Sequence, residues 1–164
     1  MLYSGEMRIG VISDTHGLLR PEAVEALRGS DQILHAGDVG DAAILERLSE
    51  LAPVTAIRGN VDRTGACAAL AETELIELGG IGFYLIHDRN ELDLDPVAAS
   101  VGVVVSGHSH KPAVEEGAGR HAGVLYFNPG SAGPRRFSLP LSVGRIEIRE
   151  GRIEAQIVLL EAGG

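Results

Sequence analysis

One cysteine, Cys67, stands in the whole sequence of 164 residues. No disulfide can close within the chain, which agrees with a reducing compartment, and Cys67 is expected as a small residue in or near the core. No apolar run approaches the roughly 20 residues that a membrane-spanning helix needs. The opening stretch "MLYSGEMRIG" has no basic segment followed by an apolar one, so it lacks the pattern of a secretory leader. Basic residues are also few: 14 Lys and Arg stand against 23 Asp and Glu, a net charge of −9. A nucleic-acid-coating surface needs clustered Lys and Arg, and this balance argues against one. These shortages predict a cytoplasmic protein with no membrane partner and no specific nucleic-acid partner.

What is present reads as a turn-rich globular chain, with 45% hydrophobic residues and 22 glycines. No linker, internal repeat or low-complexity segment divides it, so one domain over 1–164 is expected. "MRIGVIS" (Met7 to Ser13) reads as a buried strand, and "PEAVEALRG" as a helix that Pro21 starts and Gly29 ends. "DQILHAG" is a second strand. "DAAILERLSEL" is a helix with Asp41 as N-cap and Ile44, Leu45, Leu48 and Leu51 in one stripe. "PVTAIRG" is a third strand. Such alternation marks a parallel sheet with right-handed crossovers. The pattern then changes. "ELIELGGIGFYLIH" is a hairpin around Gly79-Gly80, and a short helix is expected in "LDPVAASVG", starting at Asp95. "VGVVVS" and "GVLYFNPGS" are further strands, and "GRIEIREGRIEAQIVLL" is a hairpin with one wet face. The fold class is α/β: a two-sheet β-sandwich flanked by helices on its outer faces.

The polar residues fall at strand ends. Asp14 and His16 follow the first strand, Asp38 the second and Asn60 the third; His87 ends the hairpin, and His108 and His110 follow "VGVVVS". Each alone reads as an ordinary turn residue or helix cap. His35 and His121 keep that plain reading. Together the seven are harder to dismiss, because the carboxyl ends of parallel strands line one edge, where ligands bind. Two Asp, one Asn and four His offer oxygen and imidazole donors and no thiolate. That set suits Mn, Fe, Zn, Co or Ni, whereas Ca prefers oxygen alone. Seven donors exceed what one ion with an open position takes. They suit two ions sharing a bridging carboxylate.

In order along the chain, "DTHG", "GDV", "GNVD", "IHD" and "GHSH" resemble the motifs of the calcineurin-like metallophosphoesterases, and the resemblance runs from Met7 to the final hairpin. The short chain and "NPGS" (Asn128 to Ser131) look like the family's small branch of bacterial and archaeal phosphodiesterases, whose fold the eukaryotic retromer subunit shares. The resemblance implies a four-layer sandwich and a phosphoesterase. It places Asp14, His16 and His110 on one divalent ion and Asn60, His87 and His108 on a second, with Asp38 bridging. Two ions per chain are implied, Mn first among Mn, Fe, Ni, Co and Zn. Asp38, Asn60 and His87 are the expected catalytic residues, with a metal-bridging hydroxide as nucleophile toward a small phosphate-ester substrate. A phosphodiester is the expected substrate. A phosphomonoesterase and a catalytically inactive protein-binding module are the alternatives, and a homo-oligomer is compatible with the sequence.

The chain departs from the family twice. Asp88 replaces the usual Gly after the mid-chain His, and is expected to orient His87 or to face solvent. Val61 stands where larger phosphatases carry a general-acid His, which leaves Asp62 or water for that task. Arg58, Arg135 and Arg136 are placed to meet a phosphate but also read as surface arginines. Ser109 lacks the G-x-S-x-G elbow of a nucleophilic serine and reads as a spacer.

Overall fold

A computed structural model of the protein describes residues 6–160. The first five residues of the stretch read above for a leader, and residues 161–164 of the expected domain, lie outside the described residues. Ten strands and two α-helices follow in the order β1 (Glu6–Ile12), α1 (Pro21–Leu27), β2 (Gln32–His35), α2 (Ala42–Ser49), β3 (Val54–Ala56), β4 (Thr73–Leu78), β5 (Ile81–Ile86), β6 (Val101–Val105), β7 (Ala113–Glu116), β8 (Leu125–Asn128), β9 (Ser142–Arg149) and β10 (Arg152–Leu159). They form two five-stranded sheets, ordered β10-β9-β1-β2-β3 and β4-β5-β6-β8-β7. Within the first, β1, β2 and β3 are parallel; within the second, β5, β6 and β8 are parallel. Antiparallel strands complete both sheets.

Alternation along the strands separates two apolar layers. Ile9 and Val11 of β1, Leu34 of β2, and Ile146 and Ile148 of β9 face inward. They meet Phe83 and Leu85 of β5, Val103 and Val105 of β6, and Phe127 of β8. Ile12, Ile33 and Val143 face the other way, onto Ala23 and Leu27 of α1 and Ile44 and Leu48 of α2. Helix α1 presses closely on the sheet, since a Cβ at Gly10 would lie 2.7 Å from a Leu27 methyl. Pro21 occupies the first helical turn, and Gly29, at φ 83°, follows the last. The Asp41 carboxylate accepts the Ala43 N–H and starts α2 as the sequence indicates. Cys67 is buried in this same layer as a free thiol.

The two-sheet sandwich and its helices follow the sequence reading, with refinements. Both α-helices cover the first sheet. The outer face of the second is covered by turns that bring Leu92, Leu94 and Ala99 onto Tyr84, Val104 and Tyr126. "LDPVAASVG" is not a helix but a single turn. Ala99 N–H reaches the Asp95 carbonyl, then Ser100 at φ 60° sends the Val101 N–H back to the Pro96 carbonyl. That pattern ends a helix, and the chain passes directly into β6. Strand β7 escapes the sequence reading because it is a short edge strand, "AVEE", with three of its four residues exposed. Among the described residues no helix is long and apolar enough to cross a membrane.

Candidate metal centre

The loops after β1 and β2 run side by side, extending the parallel ladder past the sheet. Asp14 N–H donates to the Gly37 carbonyl, His16 N–H to Asp38 and Gly17 N–H to Val39, all at 2.9–3.0 Å. The two strands that supply histidines from the other sheet are joined likewise, with Gly107 N–H donating to the His87 carbonyl. The carboxyl ends of both parallel triplets therefore meet. All seven residues singled out in the sequence lie at this edge.

The side chains converge closely. Asp14 Oδ1 lies 3.6 Å from His16 Nε2, 3.3 Å from His110 Nε2 and 3.9 Å from His87 Nε2. Asp38 Oδ2 lies 3.5 Å from His16 Nε2 and 3.2 Å from His87 Nε2. Two groups have ligand atoms close enough to share an ion: Asp14, His16 and His110, and Asp14, Asp38 and His87. Asn60 and His108 stand at the outer end, Asn60 Oδ1 lying 3.2 Å from His108 Nδ1. His108 is packed edge-on to His87, with ring centroids 5.2 Å apart.

Each carboxylate has one oxygen occupied and one aimed inward. Asp14 Oδ2 accepts the Ser13 hydroxyl at 2.7 Å and the His108 N–H at 3.1 Å. Asp38 Oδ1 accepts the Val61 N–H at 3.0 Å. The His87 ring is set from behind, where its Nδ1 donates to the Ala36 carbonyl at 2.7 Å and leaves Nε2 facing the cluster. Of the five described buried side-chain atoms with no hydrogen-bond partner, Glu22 Oε2 lies elsewhere and four are Asp14 Oδ1, His16 Nε2, His87 Nε2 and His110 Nδ1. Buried polar atoms without partners are costly and rare. Three of these atoms, on Asp14, His16 and His87, face one another, and all four belong to metal-competent side chains. The donor chemistry and the unpaired atoms both fit divalent ions.

Backbone geometry carries a further mark. Eight described non-glycine residues have positive φ, and five of them are Asp14, His16, Asp38, His108 and His110. Such conformations cost on the order of 1 kcal/mol each and concentrate at functional sites. The glycines before the motif residues answer a different need. A Cβ at Gly37 would sit 2.6 Å from His87 Nδ1, one at Gly59 would run into the Asp38 carboxylate, and one at Gly107 into the Ser13 hydroxyl.

A match to the calcineurin-like phosphoesterase superfamily domain spans residues 7–151. The chain belongs to the calcineurin-like phosphoesterase superfamily. It is 35% identical over 173 residues to a protein of Methanocaldococcus jannaschii named "Probable metallophosphoesterase", covering 98% of this chain and 85% of that protein. Its fold matches that of a protein described as a novel archaeal phosphodiesterase with a TM-score of 0.75, at 23% identity, over 94% of this chain and 100% of the other. It also matches Vps29 of Entamoeba histolytica in complex with zinc, at a TM-score of 0.72 and 23% identity, over 93% and 99% of the two chains.

Several residues around this cluster have a structural part that the sequence reading did not give them. His35 and Thr15 lie buried behind it: Thr15 Oγ1 donates to the Val39 carbonyl and meets His35 Nε2 at 3.0 Å, while His35 Nδ1 accepts the Gly37 N–H. Asn128, in "NPGS", braces the histidine loop through bonds from Nδ2 to the Gly107 carbonyl and Ser109 Oγ. Ser109 Oγ also accepts the Lys111 N–H, so it acts as a loop fastener as well as a spacer. Asp62 is committed to the backbone. It is 3% exposed, and its carboxylate accepts N–H groups of Val39, Gly40 and Gly59 at 2.9–3.0 Å. Asp88 does not reach toward the back of His87; it faces His108, with Oδ2 3.8 Å from Nε2. Arg58 is engaged by Glu72 at 2.7 Å and by the Ala68 carbonyl, and Arg135 and Arg136 lie exposed.

Burial raises the Asp14 carboxyl, but His110, His16 and Ser13 outweigh it and hold the group well below the usual carboxylate range. Asp38 is likewise raised by burial and brought down on balance by His87 and the Val61 N–H. His87 is lowered by burial, yet Asp38 and Asp14 raise it to about 9. Burial is the largest influence on His35 and, with the His87 ring, outweighs Asp14, Asp62 and Asp38 and takes it down to about 4. The two histidines set opposite limits on the metal-free protein. As pH falls from about 6.5 toward 4, an unfolded His35 takes a proton that the folded ring refuses, which costs about 3 kcal/mol in full. The His87 contribution is complete below about 6.5 and is lost as pH rises through about 9. Asp14 and Asp38 add losses only in stronger acid. Thermal melts of chelated protein are expected to peak near pH 6.5 and to fall on both sides; a flat profile from pH 4 to 9 would contradict these environments.

Proposed function

We propose that this chain is a two-metal phosphoesterase that hydrolyses a small phosphodiester. The observation that carries the proposal is the set of four buried, unpaired donor atoms on Asp14, His16, His87 and His110. Asp14, His16 and His110 would hold one divalent ion and Asn60, His87 and His108 the other, with Asp38 shared between the two. Mn suits this oxygen and imidazole set, and Fe, Ni, Co and Zn share its chemistry. Bound ions supply Lewis acidity toward phosphoryl oxygens and acidify a water. The protein's own part is positional. Ser13 and the His108 N–H fix one Asp14 oxygen so that the other faces inward, and the Val61 N–H does the same for Asp38.

A cleft of about 490 Å³ adjoins Asn60, His87 and His108 and has the volume for the alcohol portion of a small ester. Tyr84 and Ile86 form its apolar wall, with Glu91 and Asp93 at its side. Beside Asn60, Val61 offers no proton, and the Asp62 carboxylate is fully engaged by the backbone. This favours esters whose leaving group departs without protein-assisted protonation. Activated diesters are therefore the first substrates to try. A reducing, cytoplasmic setting fits the lone buried thiol.

The test is an activity matrix on protein purified without chelator, with Mn²⁺, Ni²⁺, Co²⁺ and Zn²⁺ against bis(p-nitrophenyl) phosphate and p-nitrophenyl phosphate. Diester turnover that depends on metal, fastest with Mn²⁺, is expected. A chain that binds no metal and stays inert throughout would sink the proposal. The fold likeness to Vps29 supports a second reading, a protein-binding module. Metal binding without turnover of either ester would favour it.

A further inference from the structure

His108 is the least sheltered of the four clustered histidines. Its side chain is 46% exposed, against 16% or less for His16, His87 and His110. The His87 ring is locked by a backbone carbonyl, but no such bond holds His108. Its two ring nitrogens face different partners: Nδ1 faces Asn60 Oδ1 at 3.2 Å, and Nε2 faces Asp88 Oδ2 at 3.8 Å. A neutral imidazole carries one proton, so two tautomers compete. With the proton on Nδ1, the ring donates to Asn60, and both groups are tied up with each other. With the proton on Nε2, Nδ1 and Asn60 Oδ1 present lone pairs side by side.

We propose that Asp88 is a positioning residue that selects the second tautomer of His108, and so makes Nδ1 and Asn60 available to a metal ion. The proposal rests on the metal-centre reading above. A carboxylate behind a ligating histidine is the usual device for fixing ring and tautomer. Asp88 is prepared for the task. Its Oδ1 accepts the Asn90 N–H and starts the turn Arg89–Glu91, which holds Oδ2 toward the ring. The neighbouring cation does not neutralise it: Arg89 pairs with Glu115 at 2.7 Å and lies over the Tyr126 ring. Asp88 thus faces the most exposed of the four clustered histidines.

The experiment compares wild type, Asp88→Ala and Asp88→Asn, each as the full chain stripped of metal and titrated with Mn²⁺. In wild type two binding steps are expected. Asp88→Ala weakens the weaker step by about 10–100-fold and leaves the tighter one unchanged. Asp88→Asn keeps one acceptor oxygen, which can still cap the turn, but turns an amide N–H toward His108, so it is expected to weaken the same step. Long-range ¹⁵N–¹H spectra of the stripped proteins read the tautomer directly. The His108 proton is expected on Nε2 in wild type and on Nδ1 in both variants. A proton that stays on Nε2 in Asp88→Ala would overturn the proposal, as would two unchanged binding steps. Equal weakening of both steps would overturn it too, by showing a general charge or folding effect. Absence of any Mn²⁺ binding by wild type would strike the metal-centre reading itself, and this inference with it.

Discussion

Replacing Asp38 with Asn is expected to lower diester turnover at least about a thousandfold, roughly 4 kcal/mol of transition-state stabilisation. The change is nearly isosteric. The side-chain oxygen that accepts the Val61 N–H can remain, so the loop after β2 keeps its place. What is lost is the charge on Oδ2, which lies between His16 Nε2 at 3.5 Å and His87 Nε2 at 3.2 Å. Asp14 Oδ1 faces the same two rings but lies farther from each, at 3.6 and 3.9 Å. Asp14 holds the inner position, and its second oxygen is already committed to Ser13 and the His108 N–H. Metal analysis should therefore find fewer ions per chain in the variant, alongside the fall in kcat/KM. A variant that keeps two ions and more than a tenth of wild-type activity would refute the bridging role.

The second large effect is on stability. Asp62→Ala removes one carboxylate and strands three backbone N–H groups, those of Val39, Gly40 and Gly59. Unmade hydrogen bonds of partly buried backbone cost about 1–3 kcal/mol each, so a loss of about 3 kcal/mol or more is expected. The loss is structural in origin, but it falls on the site. Val39 and Gly40 follow Asp38, and Gly59 precedes Asn60, so the same carboxylate holds two ligand-bearing loops together. Urea unfolding of chelated protein measures the effect, with the midpoint moving and the slope unchanged. Asp62→Asn, which keeps one acceptor oxygen, should fall between. A shift below 1 kcal/mol in Asp62→Ala would show that the loops are held by other means.

The contrast between Asp38 and Asp62 shows what the sequence could reveal. Asp38 follows a strand and a glycine, and it recurs in a pattern with six other metal-competent residues. That pattern is periodic and local enough to read directly. The strands other than β7 and both α-helices were legible for the same reason, because alternation and apolar stripes record which face is buried. Asp62 belongs to a readable motif, yet its partners are backbone amides 22 and 23 residues away as well as one nearby. Only the packing of one loop on another identifies them. Asp88 illustrates the same limit, since its neighbour His108 lies 20 positions on and in a different loop. Strand β7 and the turn before β6 were missed because each is set by the strand it joins, with little apolar pattern of its own. The glycines were seen as turn residues. That Gly59 and Gly107 make room for carboxylate and hydroxyl oxygens could be learned only from the folded chain.

The two candidate ligand groups draw on both sheets at once. Asp14, His16 and Asp38 extend from β1 and β2, whereas His87 and His110 extend from β5 and β6, and both three-residue groups cross the seam. An ion bound there would act as a rivet between two layers otherwise held at this end by apolar contact and loop hydrogen bonds. Separating the layers would require withdrawing the rivet first. Occupancy would therefore slow the opening of the sandwich, and resistance to proteolysis would follow the ion as closely as it follows the core.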